Sequence, residues 1–318
     1  MSSGKQSRTE RARVGRNSPV MLIAAAIAAG IAIILLPTPA MAWGPVTHVA
    51  FGMQALATLV SEARPIYAAL EAFPEVFLYG SLAPDIVQGR RLQSRLRRHS
   101  HNWAVALGLV EGASSDEERA FAYGYMAHLG ADVVAHNYFL PARLIGGFDS
   151  RLSGHIYYEA RFDNIHEAAY RELLLDLLDI DFRSVDTTLA RAVDSPLISF
   201  KSHRRIFEGG LKRIRHFHRA ITMLGGPAEA DQKEAALFST SSCEAIVGVL
   251  EHRGNARVCG FDPMGEQAVR TATLARANLR RLARIDARAG VRARQASRSM
   301  IEELQRHLSE TRFDVVAS

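Results

Sequence analysis

Apolar positions recur at helical spacing through nearly the whole chain. Val49 to Leu59 shows it first, and Pro74 punctuates the segment that follows. Phe77-Leu78-Tyr79-Gly80-Ser81-Leu82-Ala83-Pro84-Asp85 breaks the pattern with Gly and Pro, which puts Asp85 at a turn or helix end. The best-defined helix begins at Ser115. In Ser115-Asp116-Glu117-Glu118 a cap residue is followed by acids in the first turn and a Glu at the capping-box position. This helix is predicted to run through Ala120 to about Phe139 and to stop before Pro141. Gly146-Gly147 marks a loop, and a further helix is expected from about Ser153 through Leu175. From Gly225-Gly226-Pro227 the composition shifts to Ala and Arg, so a soft boundary is placed there. The expected fold class is all-α, with a multi-helix domain over 43–225 and a C-terminal helical region over 226–318.

The N-terminus follows a different pattern. The first 19 residues are polar and carry Lys5, Arg8, Arg11, Arg13 and Arg16 against Glu10, and Val20 to Leu36 is then apolar throughout. Ala40-Met41-Ala42 supplies the small-residue site of a cleaved export signal, so 1–42 reads as a signal peptide. The expected location is the periplasm or outside the cell. A run of 17 apolar residues is at the short limit for a membrane span, and an uncleaved anchor is the alternative. Cleavage makes Trp43 the first residue, with a free α-amino group.

Charge changes once that leader is set aside. The net charge of +6 falls to +2 as five basic residues and one acidic residue leave, so the high pI says little about nucleic acid. Residues 250–318 hold 13 basic and 8 acidic groups, which reads as a solvated helical face. Two cysteines, Cys243 and Cys259, offer one pairing and no disulfide framework.

The chemistry concentrates in a few polar residues. In Trp43-Gly44-Pro45-Val46-Thr47-His48 a free amine, its neighbouring carbonyl and an imidazole make a ready chelate. His128, Asp132 and His136 lie at i, i+4 and i+8, and each step of four rotates by only about 40°, so they form one stripe on an otherwise apolar segment. Buried polar groups of that kind are costly unless paired or bound to metal. His155 and Glu159 repeat the spacing, with Asp163 one step further, and His99-Ser100-His101 follows a basic stretch. A lone His-x3-Asp is ordinarily a hydrogen-bonded pair; the weight lies in the conjunction and order of the set. Imidazoles with carboxylates and no thiolate suit hydrolytic zinc.

In that order the set resembles the zinc-dependent phospholipase C family, whose fold is shared with the P1/S1 single-strand nucleases. The resemblance covers roughly Trp43 to Asp163. It implies an all-helical fold and two to three Zn²⁺ ions. One would be held by the Trp43 amine and carbonyl, His48 and Asp132; a second by Asp85, His101, His128 and Asp132, whose carboxylate bridges the pair. A third would use His136, His155 and Glu159, although in the secreted bacterial phospholipases and the nucleases the gap from the bridging Asp to the next His is two residues longer. His101 is favoured over His99 because Asn102-Trp103 follows it. Asp85 and Asp132 are the catalytic candidates: a metal-bridged hydroxide attacks phosphorus, with Asp85 orienting or deprotonating the water.

Three functions stay open. The first is phospholipase C-like hydrolysis of phospholipid head groups or another phosphodiester, with transient membrane-surface contact and no specific nucleic acid. The second is a P1/S1-type nuclease, which needs aromatic platforms for bases, for which Tyr123, Tyr125, Tyr138, Tyr157 and Tyr158 are candidates. The third is a non-catalytic helical protein that uses zinc structurally.

Overall fold

The computed structural model describes residues 43–61, 66–87, 98–150, 158, 162–166, 168–193, 199–212 and 229–316. Among them the secondary structure is helical, apart from a single antiparallel bridge between Ala256 and Val316. The chain enters α1 (Pro45–Ser61) directly after Gly44, then forms α2 (Ile66–Glu71) and α3 (Pro74–Gly80). Pro45 and Pro74 each open a helix, where the missing N–H loses no hydrogen bond. Asp85 sits in the one-turn helix α4 (Ala83–Ile86). α5 (Trp103–Gly112) is capped by Asn102, whose side chain accepts from the Ala104 N–H.

The central element is α6 (Asp116–Val134), and every residue from Ala120 to Val134 is buried. Ser115 caps it as expected, accepting from the Glu118 N–H at 3.1 Å. Glu118 does not return to the cap residue. Its carboxylate accepts from the N–H and hydroxyl of Ser114 instead, closing the box one residue earlier.

The helix does not stop before Pro141. Ala135–Phe139 form a π-helical turn, and α7 (Leu140–Gly146) continues from it with Pro141 in its first turn. A proline inside an α-helix lacks a donor and clashes with the carbonyl four residues back. The widened turn absorbs that mismatch. Two carbonyls at the end of α6 take side-chain donors from the turn, Val133 O from Asn137 Nδ2 at 2.9 Å and Asp132 O from His136 Nδ1 at 3.2 Å.

The helix expected to run to Leu175 is broken among the described residues. Phe162 and Asp163 are helical, residues 164–166 turn, and α8 (Ala168–Leu177) follows. Asp163 is diverted to α1, accepting from the N–H of Thr47 at 3.0 Å and its hydroxyl at 2.6 Å. The beginning of that helix, residues 90–97 of the basic stretch Arg90 to Arg98, the leader 1–42 and the boundary at 225–227 lie outside the described residues.

Then come α9 (Arg183–Ala192), α10 (Phe200–Leu211), α11 (Glu229–His252), α12 (Glu266–Ala283) and α13 (Ala287–Glu310). α11 packs along α6, and Phe238, Ala245, Ile246 and Leu250 share one core with Trp43, Phe121 and Leu129. A second cluster joins Leu140, Leu144, Ile145 and Phe148 of the α7 region to Ala272 and Leu279 of α12 and Ala293 of α13. α3 and α6 touch backbone to backbone. A Cβ on Gly124 would lie 2.0 Å from Phe77 O, and one on Gly80 would lie 2.3 Å from Phe121 O. No helix among the described residues is long and apolar enough to cross a membrane. Cys243 and Cys259 are unpaired.

Candidate metal centre

Trp43 is fully buried, and its indole N–H donates to Ala131 O at 2.9 Å. Its ring lies among Phe162, Phe139 and Phe51, with centroids at 4.4, 4.6 and 5.6 Å. This pins the segment before α1 onto the turn of α6 that carries Asp132. Gly44 allows the Asp163 carboxylate to lie against the same segment, since a Cβ there would be 2.2 Å from it. Asp163 thus holds Gly44 and Thr47 in place, and His48 follows at once.

Five side chains converge next to that anchor. Asp132 presents Oδ1 to His48 Nε2 at 3.5 Å, and Oδ2 to His128 Nε2 at 3.3 Å and His101 Nε2 at 3.4 Å. Asp85 Oδ1 lies 3.3 Å from His101 Nε2 and 4.0 Å from His128 Nε2. The His101 and His128 Nε2 atoms are 3.1 Å apart, and the His48 and His128 rings stack at 4.0 Å. All five are buried. Among the described residues they form two overlapping sets able to hold a cation, His48–Asp85–His128 and His101–His128–Asp132.

The far sides of the imidazoles are fixed by the backbone. His128 Nδ1 is 2.8 Å from Ser81 O, and His136 Nδ1 is 2.7 Å from Pro263 O. A carbonyl only accepts, so in each ring the proton sits on Nδ1 and the Nε2 lone pair is left for a ligand, as in metal-binding histidines. Ser100 Oγ is 3.0 Å from His101 Nδ1, and the Tyr125 hydroxyl of α6 donates to Ser100 O.

Electrostatics agree with a cation site. Burial pushes the His48 imidazole down to about 3, helped by the neighbouring His128 charge. Burial also opposes charge on His128, but Asp132 and Asp85 outweigh it and raise that ring's pKa. Burial likewise works against Asp132, yet His128 and His136 hold its carboxyl well below the usual carboxylate range. The buried His48 Nε2 makes no hydrogen bond, an omission that costs about 1–3 kcal/mol unless a ligand takes the lone pair. A neutral imidazole nitrogen aimed at an ionised carboxylate, with more nitrogen and oxygen donors alongside and no thiolate, fits zinc.

The structure therefore brings together His48, Asp85, His101, His128 and Asp132, with Trp43 packed beside them. His99 is half-buried and belongs to neither set. His136 lies 3.7 Å from Asp132 Oδ2 through its Nδ1 and is in neither set. His155 and Glu159 lie outside the described residues. Sequence reasoning missed the Ser81 and Pro263 carbonyls, which carry no residue signature. It saw Asp163 only as an extension of a helical stripe, not as the brace on Thr47. Tyr123, Tyr125 and Tyr138 are buried, and Tyr158 is half-buried.

The family model for zinc dependent phospholipase C matches residues 47–202, a span that contains all five converging side chains. No curated protein and no solved structure matches the chain.

Proposed function

Since residues 47–202 belong to the zinc dependent phospholipase C family, which makes the chain a phosphodiester hydrolase, we propose that it is an exported enzyme cleaving phospholipid head groups at this centre. The carrying observation is the division of Asp132, one oxygen towards His48 and the other towards His101 and His128. That division supports two zinc positions sharing the carboxylate. Trp43, once freed by cleavage after Ala42, completes the first with His48; Asp85, His101 and His128 complete the second. His136, His155 and Glu159 are assigned to a third. When bound, zinc supplies Lewis-acid polarisation of the phosphodiester and a water acidic enough to react at neutral pH.

The protein's own groups orient these events. The Ser81 and Pro263 carbonyls hold His128 and His136 in the tautomer that leaves Nε2 open. Asp85, 6 % exposed against 1 % for Asp132, is the carboxylate nearer solvent. It is assigned to orient the attacking water and accept its proton. Burial of Tyr123, Tyr125 and Tyr138 removes three candidate base platforms and favours a lipid over single-stranded nucleic acid.

The zinc-loaded mature protein is tested on a phosphatidylcholine analogue, a generic phosphodiester and single-stranded DNA. Hydrolysis of the first two, with DNA left intact, is expected. Faster cleavage of DNA would replace the lipid reading with a nuclease, and inertness toward all three would leave zinc a structural role. N-terminal sequencing of exported protein is expected to begin at Trp43; a retained leader would remove the amine ligand.

A further inference from the structure

α12 and α13 form a hairpin joined by residues 284–286, and arginines cluster at its tip. Residues 280–294 contain six arginines, no lysine and one acid, Asp286. The Asp286 carboxylate is occupied, accepting from the Ala289 N–H at 2.7 Å to cap α13. Arg280 is also occupied, bonded to the Phe148 and Ser150 carbonyls. Arg281, Arg284, Arg288 and Arg292 are exposed and make no ion pair among the described residues. Between them stand two large aliphatic side chains in water, Ile285 at 69 % and Val291 at 48 % exposed. Further along the hairpin Leu274 is 60 % exposed and lines a shallow apolar groove with Ala275, Leu282, Ala296 and Met300.

Unpaired guanidinium groups beside exposed aliphatics define the chemistry of the occupant. Nucleic acid offers phosphates, but its apolar surface is the stacked base face, which aromatic rather than aliphatic side chains match. A protein groove would take the aliphatics but would need many acids to match four free arginines. A bilayer with anionic head groups presents both, a phosphate layer that guanidinium grips in bidentate fashion and acyl chains just beneath it. We propose that the 281–292 tip docks this protein onto an anionic phospholipid bilayer. The occupant is chosen on the phospholipid-hydrolase reading, while the surface itself is independent of the metal centre. α12 begins just after Pro263, whose carbonyl holds His136, and its 18 residues carry the tip roughly 27 Å along the helix from that root.

The test uses the zinc-loaded mature chain and sedimentation with phosphatidylcholine vesicles, with and without phosphatidylglycerol. Wild type is expected to bind only the anionic vesicles and to release in part as salt rises. R281E/R284E/R288E is expected to bind at least about a hundredfold more weakly, since each arginine contributes about fivefold. I285S/V291S is expected to lose the part of the binding that survives high salt. Both variants change exposed residues only, so they should melt like wild type and hydrolyse a water-soluble monomeric phosphodiester at its rate. Equal binding to neutral and anionic vesicles, or wild-type binding by the triple variant, overturns the proposal. So does tip-dependent binding of single-stranded DNA without binding of vesicles. A wild type that sediments with anionic vesicles through the tip yet hydrolyses no phosphodiester supports the docking surface and refutes the hydrolase reading.

Discussion

On the proposed reading Asp132 serves two cation positions from within a buried helix. Asp132→Asn keeps the shape but replaces one carboxylate oxygen with an amide that cannot ligate. Loss of at least one zinc equivalent and a fall in phosphodiesterase turnover of several orders of magnitude are expected, with helix content unchanged by circular dichroism. His99→Ala is the matched control, because His101 and not His99 meets Asp85, Asp132 and His128; metal analysis should find it fully loaded. Asp163 lies one step away from the candidate metal centre, through Thr47 and His48. It accepts two hydrogen bonds from Thr47 and lies against Gly44, and bonds to a charged acceptor are worth about 1.5–3 kcal/mol each. Asp163→Ala is expected to lower Tm by about 5–10 °C and to weaken zinc binding through His48. A variant that melts as wild type would show that the brace carries no strain.

Among the elements, the α3–α6 crossing sets the reach of the site. Gly80 and Gly124 let the two backbones meet, and Ser81, the residue after Gly80, supplies the carbonyl on His128 Nδ1. Gly124→Ala must part the helices, because its Cβ would meet the Phe77 carbonyl and not a side chain able to move. Destabilisation of about 3 kcal/mol is expected in urea unfolding, together with weaker zinc affinity; a normal zinc titration would separate the crossing from the centre. The i, i+4, i+8 stripe and the Ser115 cap were legible because each is a local pattern. The continuation through Pro141 was not, since proline's veto on a regular helix is local while the π turn that evades it depends on Asn137 and His136 side chains, and Asn137 and His136 also bond the distant Asp262 and Pro263 carbonyls. The break after Asp163 was hidden for the same reason: its partner, Thr47, lies 116 residues earlier.

At the scale of the molecule, the proposed centre couples metal binding to the fold. Neutral imidazole and ionised carboxylate are the ligating forms, so zinc held at the proposed centre would bind the folded chain and stabilise it by mass action. Chelation is expected to lower Tm by about 10 °C in calorimetry, and an unchanged melt would refute a folding role for the ions. The core also depends on residues beyond 226, because α11 packs along α6. A chain ending at 225 is expected to lack a cooperative melting transition, and a sharp one would show that the first domain stands alone. The same packing sets an order of assembly. His48 to Asp132 emerge first from the ribosome, but α11 follows roughly a hundred residues later, an interval on the order of ten seconds at ordinary synthesis rates. Throughout that interval the five converging side chains exist on a chain that still lacks the helix packed along α6, so the core around them is incomplete. The helix that completes that core, Glu229–His252, has no residue in either cation-holding set: it supplies packing to the centre and no ligand.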